Sequence, residues 1–162
     1  MNRRDFTLTA AAAVAGLATP AVASPRLDIA SEIGSLAELL PLHDALVASD
    51  LIGLLAHRGP YTVFAPTRRA FDRLSYQTKA FLMSSPRRPE LRRIMAFHVV
   101  EGAHSAFDLM GRTTTLRTLI GRPLVVDGRG SGLRIGTTHV GLAEIQASNG
   151  YVHQIDQVLR PA

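Results

Sequence analysis

From Asp28 to Gly59 the apolar side chains recur every three or four positions. Leu36, Leu39, Leu40, Leu42, Leu46 and Val47 lead into Leu51, Ile52, Leu54 and Leu55. That spacing predicts helix, with a break at Pro41 and an end at Gly59-Pro60. The next run, "YTVFAP" (Tyr61–Pro66), is short, β-branched and aromatic, the pattern of a buried strand. Thr67 stands at the N-cap position before "RRAFDRL", a short helix with Ala70, Phe71 and Leu74 inward. Two more helices are predicted over Tyr76–Met83 and Pro89–His98. The second buries Leu91, Ile94, Met95 and His98 and leaves Arg92 and Arg93 outward.

After Val100 the period shortens. "TTTLRTLIG", "RPLVVDG", "GLRIG" and "THVGLAEIQAS" are strand-like runs separated by glycine-containing turns, and "YVHQIDQVL" closes the series. Helices come first and strands second, with one early strand, which predicts an α+β domain rather than a βαβ repeat. No internal repeat or linker interrupts residues 24–162, so they read as one domain.

Composition narrows the chemistry. The 162 residues hold no Cys, which removes disulfides, thiol catalysis and Cys-ligated metals. Residues 1–23 have Arg3-Arg4-Asp5-Phe6, a mild apolar run and the small-residue site Ala21-Val22-Ala23, the layout of an export signal of twin-arginine type. The general secretory route is the alternative, and both lead out of the cytoplasm, to the periplasm or beyond. The apolar run is too short to span a bilayer. Removing the segment takes Arg3, Arg4 and Asp5 from the 18 Lys+Arg and 13 Asp+Glu and leaves a net charge of +4. The densest basic cluster, Arg87, Arg88, Arg92 and Arg93, reads first as a solvated helix face. Its sharper reading is contact with anionic lipid headgroups or acidic polysaccharide. Nucleic acid is not expected, because no aromatic platform accompanies the arginines.

Candidate catalytic patterns are sparse. "DGRGSGLRIG" is followed by a strand rather than a helix and lacks Lys, so it reads as a hairpin tip and not a phosphate loop. The six histidines show no metal-ligand spacing, and no nucleophile elbow is present. No cofactor or metal is expected. The polar pair whose spacing raises the question of chemistry is His153 and Asp156, three apart in a strand-like run. Asn149-Gly150 between strand-like runs predicts a two-residue hairpin turn that sets Ser148 opposite Tyr151 and Gln146 opposite His153. The strand's period of two then sends His153 and Asp156 to opposite faces, which argues against an acid–base couple. Asp156 is expected to accept hydrogen bonds from backbone N–H or cationic groups.

These segments resemble a known family. "YTVFAPTRRAF" (Tyr61–Phe71) is similar to the first signature of fasciclin-like domains, and "ASNGYVHQIDQVLRP" (Ala147–Pro161) to the second. Between them "LRRIMAFHVVEG" resembles the central histidine segment, and "TTTLRTLIGRPLVV" the strand pair that follows it. The resemblance implies a β-rich, wedge-like sandwich with several helices packed on it, with the two signature strands in the core sheet. It also implies a non-enzymatic role in adhesion or recognition of a protein or glycan surface. Phe97 stands where many members carry Tyr beside the central histidine, so the resemblance lends no support to an integrin-like partner. A periplasmic carrier of an apolar small molecule, lipid or pigment is the alternative that the many Leu and Phe residues permit.

Overall fold

The computed structural model describes residues 25–84 and 88–162; the expected export signal in residues 1–23 and Arg87 lie outside the described residues. Asp28 caps the first helix, α1 (Ile29–Ser35), by accepting from the Ser31 N–H at 2.9 Å. A single 3₁₀ turn at Ala37–Leu39 leads into α2 (Leu40–Ala48) and then α3 (Ile52–His57). The break therefore falls at Leu36 and not at Pro41. Pro41 occupies the first turn of α2, where its missing N–H costs no intrahelical bond.

Strand β1 (Tyr61–Pro66) follows, then α4 (Arg68–Asp72), α5 (Tyr76–Met83) and α6 (Arg88–Phe97). The remaining elements are β2 (Val99–Glu101), α7 (Ala106–Leu109), β3 (Thr113–Arg117), β4 (Pro123–Asp127), β5 (Leu133–Ile135), β6 (Thr138–Ala147) and β7 (Gly150–Ile155). Among the described residues the seven strands form one sheet in the order β2-β1-β7-β6-β5-β4-β3. Consecutive strands from β3 to β7 are antiparallel neighbours, as short hairpin connections require. The exception is β1, which lies parallel to β7 and antiparallel to β2. An isolated bridge between Val100 and Thr118 brings the two ends of the sheet together, so the sheet curls almost closed.

The curl creates two cores. Phe64, Val100, Leu116, Leu124, Val126, Leu133, Ile135, Val140 and Ile155 meet inside the sheet, with Phe97 and Leu159 closing it. Outside, Val63, Ala65, Val99, Ala147 and Val152 pack against α1, α2, α3 and α6 through Ile29, Ile33, Leu42, Leu46, Leu55, Leu91 and Met95. Alternation along β1 sends Phe64 inward and its neighbours Val63 and Ala65 out to the helices, so β1 is buried on both faces. Strand β6 carries a bulge: Val140 faces Ile155 but Glu144 faces His153, so residues 141–143 oppose Gln154 alone.

Candidate functional site

The two segments that resemble family signatures are adjacent in space. Strands β1 and β7 pair in parallel from Tyr61 opposite Gly150 to Pro66 opposite Ile155, and the Thr67 N–H continues the ladder to the Ile155 carbonyl at 3.1 Å. Parallel strands cannot be joined by a hairpin, so this central pair must be tied to its surroundings by other means. Polar side chains at its two ends supply those ties.

Asn149 holds one end. Its Oδ1 accepts from the Ile29 N–H at 2.9 Å, and its Nδ2 donates to the carbonyls of Leu55 at 2.7 Å and Arg58 at 2.8 Å. One side chain thus satisfies the start of α1 and the end of α3, where backbone groups lack helical partners. Its own carbonyl accepts from the Tyr61 N–H. The hairpin register differs from the expected one. Ala147 faces Gly150 and Gln146 faces Tyr151, so the turn residues are Ser148 and Asn149. The positive φ falls on Gly150 alone, at 147°. A Cβ on Gly150 would fall onto the Tyr61 carbonyl oxygen, so the close approach of β1 requires glycine there. Packing of the second strand, not turn type, sets this register.

His98 holds the other end, at the exit of α6. Its Nε2 accepts from the Leu159 N–H at 2.9 Å, which leaves Nδ1 to carry the proton and donate to the Ile94 carbonyl at 2.8 Å. The imidazole is buried and neutral, and burial pushes its pKa down to about 4. The His98 carbonyl also accepts from the Phe64 N–H. This one residue therefore joins α6, β1 and the C-terminal segment.

His153 points into the inner core. Its ring stacks on Phe64 at 5.6 Å and on Tyr151 at 6.4 Å. Its Nε2 donates to the His104 carbonyl at 2.8 Å, and its Nδ1 has no hydrogen-bond partner among the described residues. Burial lowers its pKa as well. The loop that carries His104 is fixed from β1 by Thr62, whose hydroxyl donates to the Gly102 carbonyl and accepts from the His104 N–H, both at 2.8 Å. Sequence reasoning passed over Thr62 and His104. The available signal was a lone hydroxyl inside an apolar strand, which must find partners when buried.

Asp156 lies just past β7, on the side away from His153. Its Oδ1 accepts from the His139 N–H at 2.9 Å, and Arg73 Nη1 donates to its backbone carbonyl at 3.0 Å and lies 3.4 Å from Oδ2. The carboxylate is half-exposed, at 36%, rather than buried. Thr67 sits at the N-cap of α4 in extended conformation, but its side chain makes no capping bond. In the basic cluster, Arg92 Nη1 donates to the carbonyls of Ser49 at 2.8 Å and Asp50 at 3.2 Å, where α2 ends. Arg88 and Arg93 are exposed. The structure thus gathers Asn149, Gly150, His98, His153 and Asp156 around β1 and β7, but brings no two of their side chains together as an acid–base pair.

The chain has clear relatives. The model of the Fasciclin domain matches residues 38–161. The Synechocystis protein sll1735 is 36% identical over 115 residues, covering 71% of this chain and 84% of that one. The cell surface glycolipoprotein MPB83 of Mycobacterium bovis is 35% identical over 109 residues, covering 64% of this chain and 44% of that one. In fold, the chain is similar to a solved FAS1 domain pair from the insect cell adhesion molecule Fasciclin I. The TM-score is 0.74 at 16% identity, over 85% of this chain and 52% of that one. The chain belongs to the fasciclin domain family.

Proposed function

We propose that this protein is an exported, non-enzymatic adhesion or recognition domain that binds a protein or glycan surface. The observation that carries this reading is that no candidate acid meets a candidate base: Asp156 lies on the side of β7 away from His153, whose Nδ1 has no partner among the described residues. Both nitrogens of His98 and every side-chain polar atom of Asn149 bond to backbone groups, and Asp156 is held by a backbone N–H and Arg73. Groups held this way support structure and not turnover. Membership of the fasciclin domain family supports the same reading, and the surface location in the name of MPB83 supports export. Among the described residues no helix is long and apolar enough to cross a membrane. The test is a pull-down with the chain from residue 24 against envelope and extracellular fractions. A retained partner at micromolar protein is expected, and none would overturn the reading.

One observation favours a second reading, the carrier of an apolar small molecule. A cleft of about 380 Å³ between α2, α4, α5 and α6 is lined by apolar side chains, among them Leu40, Phe71, Leu74 and Leu82, and also by Asp44, Arg68, Asp72 and Lys79. That volume lies in the range of small-ligand sites. Native mass spectrometry of protein from its own source decides: an added ligand mass supports the carrier, and a clean apo mass removes it.

A further inference from the structure

The helices cover only part of the sheet. The outer face of β3, β4 and β5 is exposed to solvent, and no described helix lies over it. Register places its side chains. Thr113, Asp127, Arg134 and His139 face one another in a row across four strands, and Thr115 with Val125 and Arg117 with Pro123 form the next rows. All lie on the side opposite the inward Leu116, Leu124, Val126, Leu133 and Ile135.

Charge on this stretch is one-sided. Residues 112–143 contain five arginines, Arg112, Arg117, Arg122, Arg129 and Arg134, and a single acid, Asp127. Arg129 neutralises that acid at two points, Nε to Oδ1 at 3.0 Å and Nη2 to Oδ2 at 3.1 Å. Arg112 donates to the Asp108 carbonyl and Arg122 to the Ala162 carbonyl, both away from the strand rows. Arg117 and Arg134 are left standing on the open sheet two strands and four residues apart, with the Thr115 hydroxyl on the Arg117 strand, while the Thr113 hydroxyl donates to Asp127 Oδ1 at 3.4 Å.

The partner's chemistry follows from what this face presents. Guanidinium groups on an open face select an anion, and both carboxylates and phosphates match their fork geometry. Val125 is the one large apolar side chain exposed on β3–β5 among the described residues, which gives a bilayer nothing to bury. These strands carry no aromatic side chain on which a base could stack. By strand geometry Arg117 and Arg134 stand about 16 Å apart, in different rows, a spacing that a polymer with repeated charges can span. Resting on the adhesion reading above, we propose that the outer face of β3–β5 binds an acidic polysaccharide, with Arg117 and Arg134 on separate carboxylates and Thr115 on a hydroxyl.

The test uses the full chain on immobilised polygalacturonate, with neutral dextran as control. Retention on polygalacturonate alone, lost steeply with added salt, is expected. Arg117→Gln with Arg134→Gln should weaken binding at least tenfold, whereas Arg88→Gln with Arg93→Gln on α6 should change it less than twofold. Circular dichroism checks the fold, and Arg134→Glu alone serves if the double variant fails to fold. Equal retention on dextran, an equal loss from the α6 variant, or no loss from the sheet variant would each overturn the proposal. So would tighter binding to duplex DNA, to an acidic protein or to phosphatidylglycerol vesicles. If the envelope pull-down still captures a partner while polygalacturonate is not retained, this site falls and the adhesion reading stands.

Discussion

The helix-covered half of the sheet and its bare half handle polar groups in opposite ways. Around β1 and β7, polar side chains reach far along the chain: Asn149 to Ile29 and Leu55, His98 to Leu159, His153 to His104 and Thr62 to Gly102. Around β3–β5 most polar contacts are local, as in Arg129 with Asp127 two residues away and Arg112 with the carbonyl of Asp108, and Arg122 with the Ala162 carbonyl is the long-range exception among the described residues. Hairpin-linked antiparallel strands complete their own ladders. Helix ends and a parallel strand pair cannot, so side chains must stand in for missing backbone partners. Polar residues in the covered half therefore tie distant segments together, while on the bare half Arg117 and Arg134 stand exposed.

Two glycines expose the contrast most strongly. Gly150 and Gly136 both have positive φ, at 147° and 59°. A Cβ on Gly150 strikes the Tyr61 backbone, whereas one on Gly136 meets open space. Gly150→Ala should cost more than about 4 kcal/mol or prevent folding, and Gly136→Ala about 1 kcal/mol of backbone strain. Urea denaturation of both variants measures this, and equal losses would erase the distinction. Next in size, Asn149→Ala leaves one N–H and two carbonyls without their side-chain partner and should cost about 2–4 kcal/mol by the same measurement.

Acid should attack the covered half first. His98 is held neutral in the folded protein with its pKa lowered from 6.5 to about 4, so between those values the unfolded chain binds the proton and the folded one does not. Stability is therefore complete above about pH 6.5 and falls toward pH 4, by about 3 kcal/mol from His98. His153, lowered by burial too, adds to the same slope. Thermal melts from pH 7 to pH 4 should show the loss. His98→Gln should be less stable at pH 7 yet flatter across the range, and an unchanged slope would show that the buried imidazole is not the source.

The sequence made the covered half legible in part. Period-two alternation sends His153 and Asp156 of "YVHQIDQVL" to opposite faces, and the structure shows which is which: His153 stacks on Phe64 in the inner core and Val152 packs toward the helices. The α+β order was readable because each element carries its own periodicity. The hairpin register was not, because Asn-Gly was judged as a local turn while Gly150 answers to Tyr61, a residue 89 positions earlier. Thr62 and His104 were invisible for the same reason: the contacts that give them a role join segments about 40 residues apart. The arginine cluster at Arg87–Arg93 is dense in sequence, whereas only the strand register places Arg117 and Arg134 on one bare face.

Asp156 lies on the seam between the halves and gives the finest test of the contrast. It binds the backbone N–H of His139, the residue that faces Arg134 across β5 and β6, so the covered half ends where the bare rows begin. Because its carboxylate is half in solvent, Asp156→Ala should cost about 1–2 kcal/mol, less than a buried acceptor would. Asp156→Asn keeps an acceptor for the His139 N–H and should recover about half of that. Arg134→Gln, one strand further out, should shift stability by less than about 0.5 kcal/mol. Denaturation midpoints of the three variants rank them. If Arg134→Gln costs as much as Asp156→Ala, the row across β3–β6 is itself structural and the bare face loses its claim to be held free for a partner.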